Sequence, residues 1–74
     1  MQVKVKLFFT LRRGRSRVVD IQLNPGATVK EVIINLGIKP SEVAIVMVNG
    51  HYSNMEKQVD DGDIVALFPP IGGG

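Results

Sequence analysis

The chain opens with strict alternation. In Gln2-Val3-Lys4-Val5-Lys6-Leu7 every second residue is apolar, the period of a strand with one buried face. Val3, Val5, Leu7 and Phe9 are expected to point inward. A polar turn, Arg12-Arg13-Gly14-Arg15-Ser16-Arg17, carries a central glycine. A second alternating run then sets Val19, Ile21 and Leu23 against Val18, Asp20 and Gln22. Two such runs around a glycine-bearing turn predict an N-terminal hairpin.

Asn24-Pro25-Gly26 breaks the strand. Thr28 and Glu31 stand at the spacing of a capping box. Val29, Val32, Ile33 and Leu36 then recur at i, i+3, i+4 and i+7, one face of a helix. Gly37 stands where a C-terminal glycine cap belongs. A helix this short draws its stability from packing that face. Ile38 to Glu42, with Pro40, is a connector; Val43 to Val48 is rich in β-branched residues and reads as a strand. Asn49-Gly50 is a hairpin turn signal, with His51 and Tyr52 starting a short return strand. Asp60-Asp61-Gly62-Asp63 is a further turn, and Ile64 to Phe68 is the last strand. Pro69-Pro70 ends it, because proline supplies no ladder donor.

The order is hairpin, helix, then two or three strands. One helix must cover one face of one sheet. The expected fold is α+β, a β-grasp or ubiquitin-like domain over residues 1–70. Its sheet is mixed and four- to five-stranded, and residues 71–74 form a flexible tail. If Val46, Val48, Val65 and Leu67 face the helix, then Ile45, Met47, Ala66 and Phe68 face away, and Phe8 joins them. An apolar outer face beside the tail suggests a docking surface.

Composition narrows the chemistry. With 74 residues the chain is one domain. It has no cysteine, which removes disulfides, cysteine-bound metals and a thiol nucleophile. A single histidine, His51, cannot build a multi-histidine metal site. Ser16, Ser41 and Ser53 have no convincing histidine–carboxylate pairing, so a hydrolase triad is not expected. No catalytic residue, metal or bound cofactor is expected. The aliphatic run Val43–Val48 is too short to span a bilayer, and no signal-peptide core is present; the expectation is a cytoplasmic protein.

The formal net charge is only +2, yet Lys4, Lys6, Arg12, Arg13, Arg15 and Arg17 all precede the first acidic residue. Such a cluster with Phe8 as a stacking platform could serve an RNA-binding domain. A solvated hairpin loop is the more frequent outcome and is favoured here.

The C-terminus is the informative segment. Gly72-Gly73-Gly74 adds nothing to a core and is costly to order. Lacking Cβ atoms, it suits entry into a narrow site backbone-first. Pro69-Pro70 stiffens its root. Extended at about 3.3 Å per residue, Pro69 to Gly74 reaches roughly 20 Å.

Phe68-Pro69-Pro70-Ile71-Gly72-Gly73-Gly74, preceded by Asp61-Gly62-Asp63-Ile64-Val65-Ala66-Leu67, resembles the C-terminus of the MoaD/ThiS sulfur carriers. Pro25-Gly26-Ala27-Thr28-Val29 and Val48-Asn49-Gly50 are also similar to that family. Gly72 adds a third glycine to an end that in many carriers has two.

The resemblance implies that the first and last strands lie side by side in the sheet centre. It implies that the Gly74 carboxylate is adenylated, with ATP, by a ubiquitin-activating-type adenylyltransferase. A sulfur donor then displaces AMP to leave a thiocarboxylate. Gly72, Gly73 and Gly74 would thread into the partner's active site, and Phe8, Met47, Phe68, Pro69, Pro70 and Ile71 would dock. The second partner would be a molybdopterin synthase large subunit or a thiazole synthase. Phe68-Pro69-Pro70 is closer to the molybdopterin branch; the short Thr10–Arg17 connection is closer to the thiamine branch. The tail lies at the chemistry and favours molybdopterin. A ubiquitin-like modifier, joined to lysines through the same carboxylate, is the alternative.

Overall fold

The computed structural model describes residues 1–70. Its elements are β1 (Gln2–Leu7), a 3-10 turn (Phe9–Arg12), β2 (Val18–Gln22), α1 (Val29–Asn35), a second 3-10 turn (Pro40–Glu42), β3 (Ile45–Val48), β4 (His51–Ser53) and β5 (Ile64–Phe68). The five strands form one mixed sheet in the order β2-β1-β5-β3-β4. β1 and β5 pair in parallel, Val5 beside Val65 and Leu7 beside Leu67, and the other pairings are antiparallel. The first and last strands are therefore central neighbours, as the resemblance implies.

Alternation in the sequence becomes two faces of the sheet. Val3, Val5 and Leu7 of β1, Val46 and Val48 of β3, and Val65 and Leu67 of β5 are buried. They pack in one cluster with Val29, Val32 and Ile33 of α1. Fully burying a side chain of this size is worth about 1.5–3 kcal/mol. This shared layer holds the seven-residue helix in place.

Both helix ends are closed as the sequence indicates. The Glu31 amide donates to Thr28 Oγ1, and the Thr28 amide donates to Glu31 Oε1. At the other end Gly37 takes φ +75°. The Gly37 amide donates to the Ile34 carbonyl and the Ile38 amide to the Ile33 carbonyl, a Schellman closure. Ile33 and Ile38 are both buried, completing it with an apolar contact.

Phe9 departs from the alternating pattern. It is 61% exposed rather than inward-facing. β1 ends at Leu7, and Phe9 turns the chain with φ +54° to begin the 3-10 turn. That turn carries Leu11 into the interior position, where it is 2% exposed. The break in extended backbone ends the two-residue period on which the inward reading of Phe9 depends.

The β1–β2 connection is also more ordered than a solvated hairpin loop. Arg15 folds back over the C-terminal end of α1. Its Nη2 donates to the Gly37 carbonyl at 3.2 Å and its Nε to the Leu36 carbonyl at 3.4 Å. The same guanidinium donates to the Leu11 and Arg13 carbonyls through Nη1. One cation thus satisfies helix-end carbonyls and fixes the connection.

Candidate functional site

β5 leads directly into the C-terminal segment, so the elements beside its last residues define the site. The Phe8 amide donates to the Leu67 carbonyl, and the Ala44 amide donates to the Phe68 carbonyl. The end of β5 is therefore held from both sides. Ile45 pairs with Phe68 across the β3–β5 ladder.

On the sheet face away from α1, the rings of Phe8 and Phe68 stack at a centroid distance of 4.3 Å and an interplanar angle of 13°. The Arg12 guanidinium lies over the Phe8 ring at 5.4 Å, while its Nε donates to the Leu7 carbonyl at 2.8 Å. Phe9 leans against Phe8 at 6.5 Å, tilted by 50°. The result is a short layered stack, arginine on phenylalanine on phenylalanine, at the base of the tail.

Phe8, Met47 and Phe68 are all half-buried. Met47 pairs with Ala66 and shares the outer face with Phe68. Pro70 is exposed, whereas Pro69 is buried. The buried Pro69 therefore roots the C-terminal segment in the domain. Ile71, Gly72, Gly73 and Gly74 lie outside the described residues.

Three residues enlarge the outer surface beyond those expected to dock. Phe9 is exposed beside Phe8. Tyr52, 80% exposed, pairs with Met47 across the β3–β4 ladder. Ile64 is exposed on β5, on the same side as Ala66 and Phe68. Tyr52 is legible from the Asn49-Gly50 turn, which sets it opposite Met47. Phe9 is not, because nothing in its local sequence marks a positive φ.

The basic cluster divides. Arg12 and Arg15 donate to main-chain carbonyls, while Arg13 and Arg17 are exposed. A shallow open cleft beside the tail root is lined by Leu11, Arg13, Arg15, Glu42, Pro69 and Pro70, among others.

Comparison with known proteins accords with this geometry. The chain matches the ThiS family model over residues 5–74. It is similar to small archaeal modifier protein 1 of Haloferax volcanii, with 26% identity, a TM-score of 0.80 and both chains covered in full (100%). It is similar to a Pyrococcus furiosus protein described as molybdopterin converting factor subunit 1, with 29% identity, a TM-score of 0.77 and coverage of 96% of this chain and 99% of that one. It also resembles a chain in the complex of subunits 1 and 2 of the molybdopterin-converting factor from Helicobacter pylori, with 26% identity, a TM-score of 0.66 and 100% coverage of each. With a ubiquitin-like β-grasp domain and a family match running to its last residue, the chain belongs to the ThiS family of ubiquitin-like sulfur carriers.

Proposed function

We propose that this chain carries sulfur on its C-terminal glycine for the assembly of a molybdopterin-type cofactor. The observation that carries the reading is the family match through Gly74, joined to a domain whose aromatic stack sits at the root of the tail. A Gly74 carboxylate oxygen attacks the α-phosphorus of ATP in the activating partner. Pyrophosphate leaves and an acyl adenylate forms. A sulfur donor then displaces AMP and leaves a thiocarboxylate. The carboxylate is a poor acyl donor until it is adenylated, and the installed sulfur is a stronger nucleophile than the oxygen it replaces. The carrier itself supplies reach and recognition, while the chemistry belongs to its partners.

The molybdopterin branch is supported by the likeness to a subunit 1 found in complex with its subunit 2. By analogy, the acceptor of the tail is a molybdopterin synthase large subunit. The modifier reading draws on the likeness to small archaeal modifier protein 1. The two share the adenylation step and differ in product.

Incubation with ATP, the cognate adenylyltransferase and a sulfur donor should add the mass of one oxygen-to-sulfur exchange at Gly74. Transfer of that sulfur to a molybdopterin precursor by the large subunit would fix the branch. Isopeptide bonds to lysines without any thiocarboxylate would favour the modifier. Absence of both products, with a working control carrier, would defeat the proposal.

A further inference from the structure

The charged residues of this domain are sorted along the β1–β5 axis. β1 and β5 run in parallel, so both strands start at one end of the domain and finish at the other. At the finishing end, where the tail departs, lie Arg12, Arg13, Arg15, Arg17 and Lys39. The Arg17 carbonyl accepts from the Leu7 amide, and Arg15 reaches the Leu36 and Gly37 carbonyls just before Lys39. One carboxylate side chain, Glu42, shares that end, facing the cleft with Arg13 and Arg15.

The starting end is the reverse. Asp60, Asp61 and Asp63 are fastened there: the Gln2 amide donates to Asp61 Oδ1 at 2.7 Å, and the Gly62 amide donates to the Gln2 carbonyl. Glu31 sits in the first turn of α1, and Glu56 adjoins Met55 and Lys57, whose carbonyls accept from the Lys30 and Val29 amides. Lys30, Lys57 and the Met1 ammonium, which donates to the Leu23 carbonyl, are cations at that end, and Lys4 and Asp20 line one cleft with Asp61. Lys6 lies between, on the outer face of the sheet. The net charge of +2 is thus concentrated at the tail end.

We propose that the chain is an electric dipole with its positive pole around the root of the tail, and that this pole docks on an acidic rim surrounding the mouth through which the activating partner admits the tail. The proposal rests on the carrier reading, in which the tail enters that partner. Geometry supplies the constraint. A tail reaching roughly 20 Å brings the partner's surface against whatever surrounds the root. What surrounds it is arginine. Arg13 and Arg17 are exposed and make no side-chain hydrogen bond among the described residues, so their guanidinium groups are available for bidentate pairing with carboxylates. A dipole also turns the tail toward an acidic mouth before contact, which raises the association rate more than it slows dissociation.

The experiment is stopped-flow association of the full chain with its cognate adenylyltransferase across a salt series. The wild-type rate should fall about tenfold or more from low to high salt, because screening shortens the reach of the field. The double variant Arg13→Glu/Arg17→Glu should associate about tenfold more slowly at low salt and lose most of its salt dependence. Its dissociation rate should change far less. Arg13→Gln/Arg17→Gln should fall between. Lys30→Glu/Lys57→Glu, at the opposite pole, should stay within about twofold of wild type.

Salt-independent association, or equal slowing by both charge-reversal variants, overturns the proposal. Salt-sensitive binding of the wild type to a single-stranded oligouridylate, abolished by Arg13→Glu/Arg17→Glu and stronger than enzyme binding, assigns the pole to nucleic acid and also overturns it. Mass spectrometry at saturating enzyme reads the carrier function separately. If wild type never gains sulfur, the carrier reading falls, and the association rates still decide the fate of the dipole.

Discussion

Phe8 and Phe68 stack face to face although they are 60 positions apart in the sequence and their backbones belong to different chain ends. The contact follows from the parallel pairing of β1 with β5, which brings Leu7 beside Leu67. The Phe8 amide then continues the ladder by donating to Leu67. Both rings remain half-buried, so the pair is stable in the free domain yet still offers area to a partner.

Phe68→Asp should leave the fold intact and weaken partner binding by about tenfold or more. Loss of the intramolecular aromatic pair costs the fold only about 0.5–1.5 kcal/mol, while a carboxylate placed in an apolar contact with the partner imposes a desolvation cost on binding. Circular dichroism checks the fold and titration calorimetry checks the binding. Unfolding of this variant would place Phe68 in the core.

Arg15→Ala should lower stability by about 1.5–3 kcal/mol, the range for hydrogen bonds from a charged group. The substitution releases the Leu36 and Gly37 carbonyls at the end of α1. Arg15→Lys should recover only part of the loss, since an ammonium lacks the planar fork that reaches both elements. Urea denaturation of the three proteins measures this, and equal midpoints would contradict it.

Phe9→Gly tests a conformation. Phe9 holds φ +54°, a region that costs a side-chain-bearing residue about 1–2 kcal/mol. Because the ring is largely exposed, glycine should equal or exceed wild-type stability, by up to about 1 kcal/mol. Binding to the activating partner should drop if the ring extends the Phe8–Phe68 surface. A thermal midpoint well below wild type would argue that the ring is part of the packing.

Asn49→Ala should cost about 1–3 kcal/mol. Asn49 has φ +52°, its Oδ1 accepts from the Ile64 amide, and its Nδ2 donates to Asp63 Oδ1, each at 2.9 Å. Asn49→Gly should fall between, keeping the backbone conformation and losing both side-chain bonds. If glycine matched wild type in chemical denaturation, only the turn geometry would matter.

Local signals were readable along the chain because they act over a few residues. The Thr28–Glu31 cap, the Gly37 closure, the Asn49-Gly50 turn and the alternation of β1, β3 and β5 each need one segment to be recognised. Asn49 shows where that ends. Its turn role is written in its neighbour Gly50, whereas its bonds to Asp63 and Ile64 depend on β3 lying beside β5. Arg15 is similar: as sequence it belongs to a charged loop, and only the approach of α1 makes it a helix cap. Phe9 fails differently, since a period-two pattern carries no notice of the residue at which the backbone leaves the strand. The residues expected to dock, Phe8, Met47 and Phe68, were assignable to one face by parity. Their stacking was not, because parity says nothing about which strands are neighbours.

The central position of β5 has a mechanical consequence. On the proposed carrier reading, a tail drawn into a partner's active site would pull on β5 along its own axis. β1 grips the strand on one side and β3 on the other. The load therefore falls on both ladders in shear, with their hydrogen bonds strained together. An edge strand under the same pull would have only one ladder to resist it. On the proposed carrier reading, the segment handed to a partner is thus rooted in an interior strand clamped on both sides, and the domain can be handled by its tail without being unravelled.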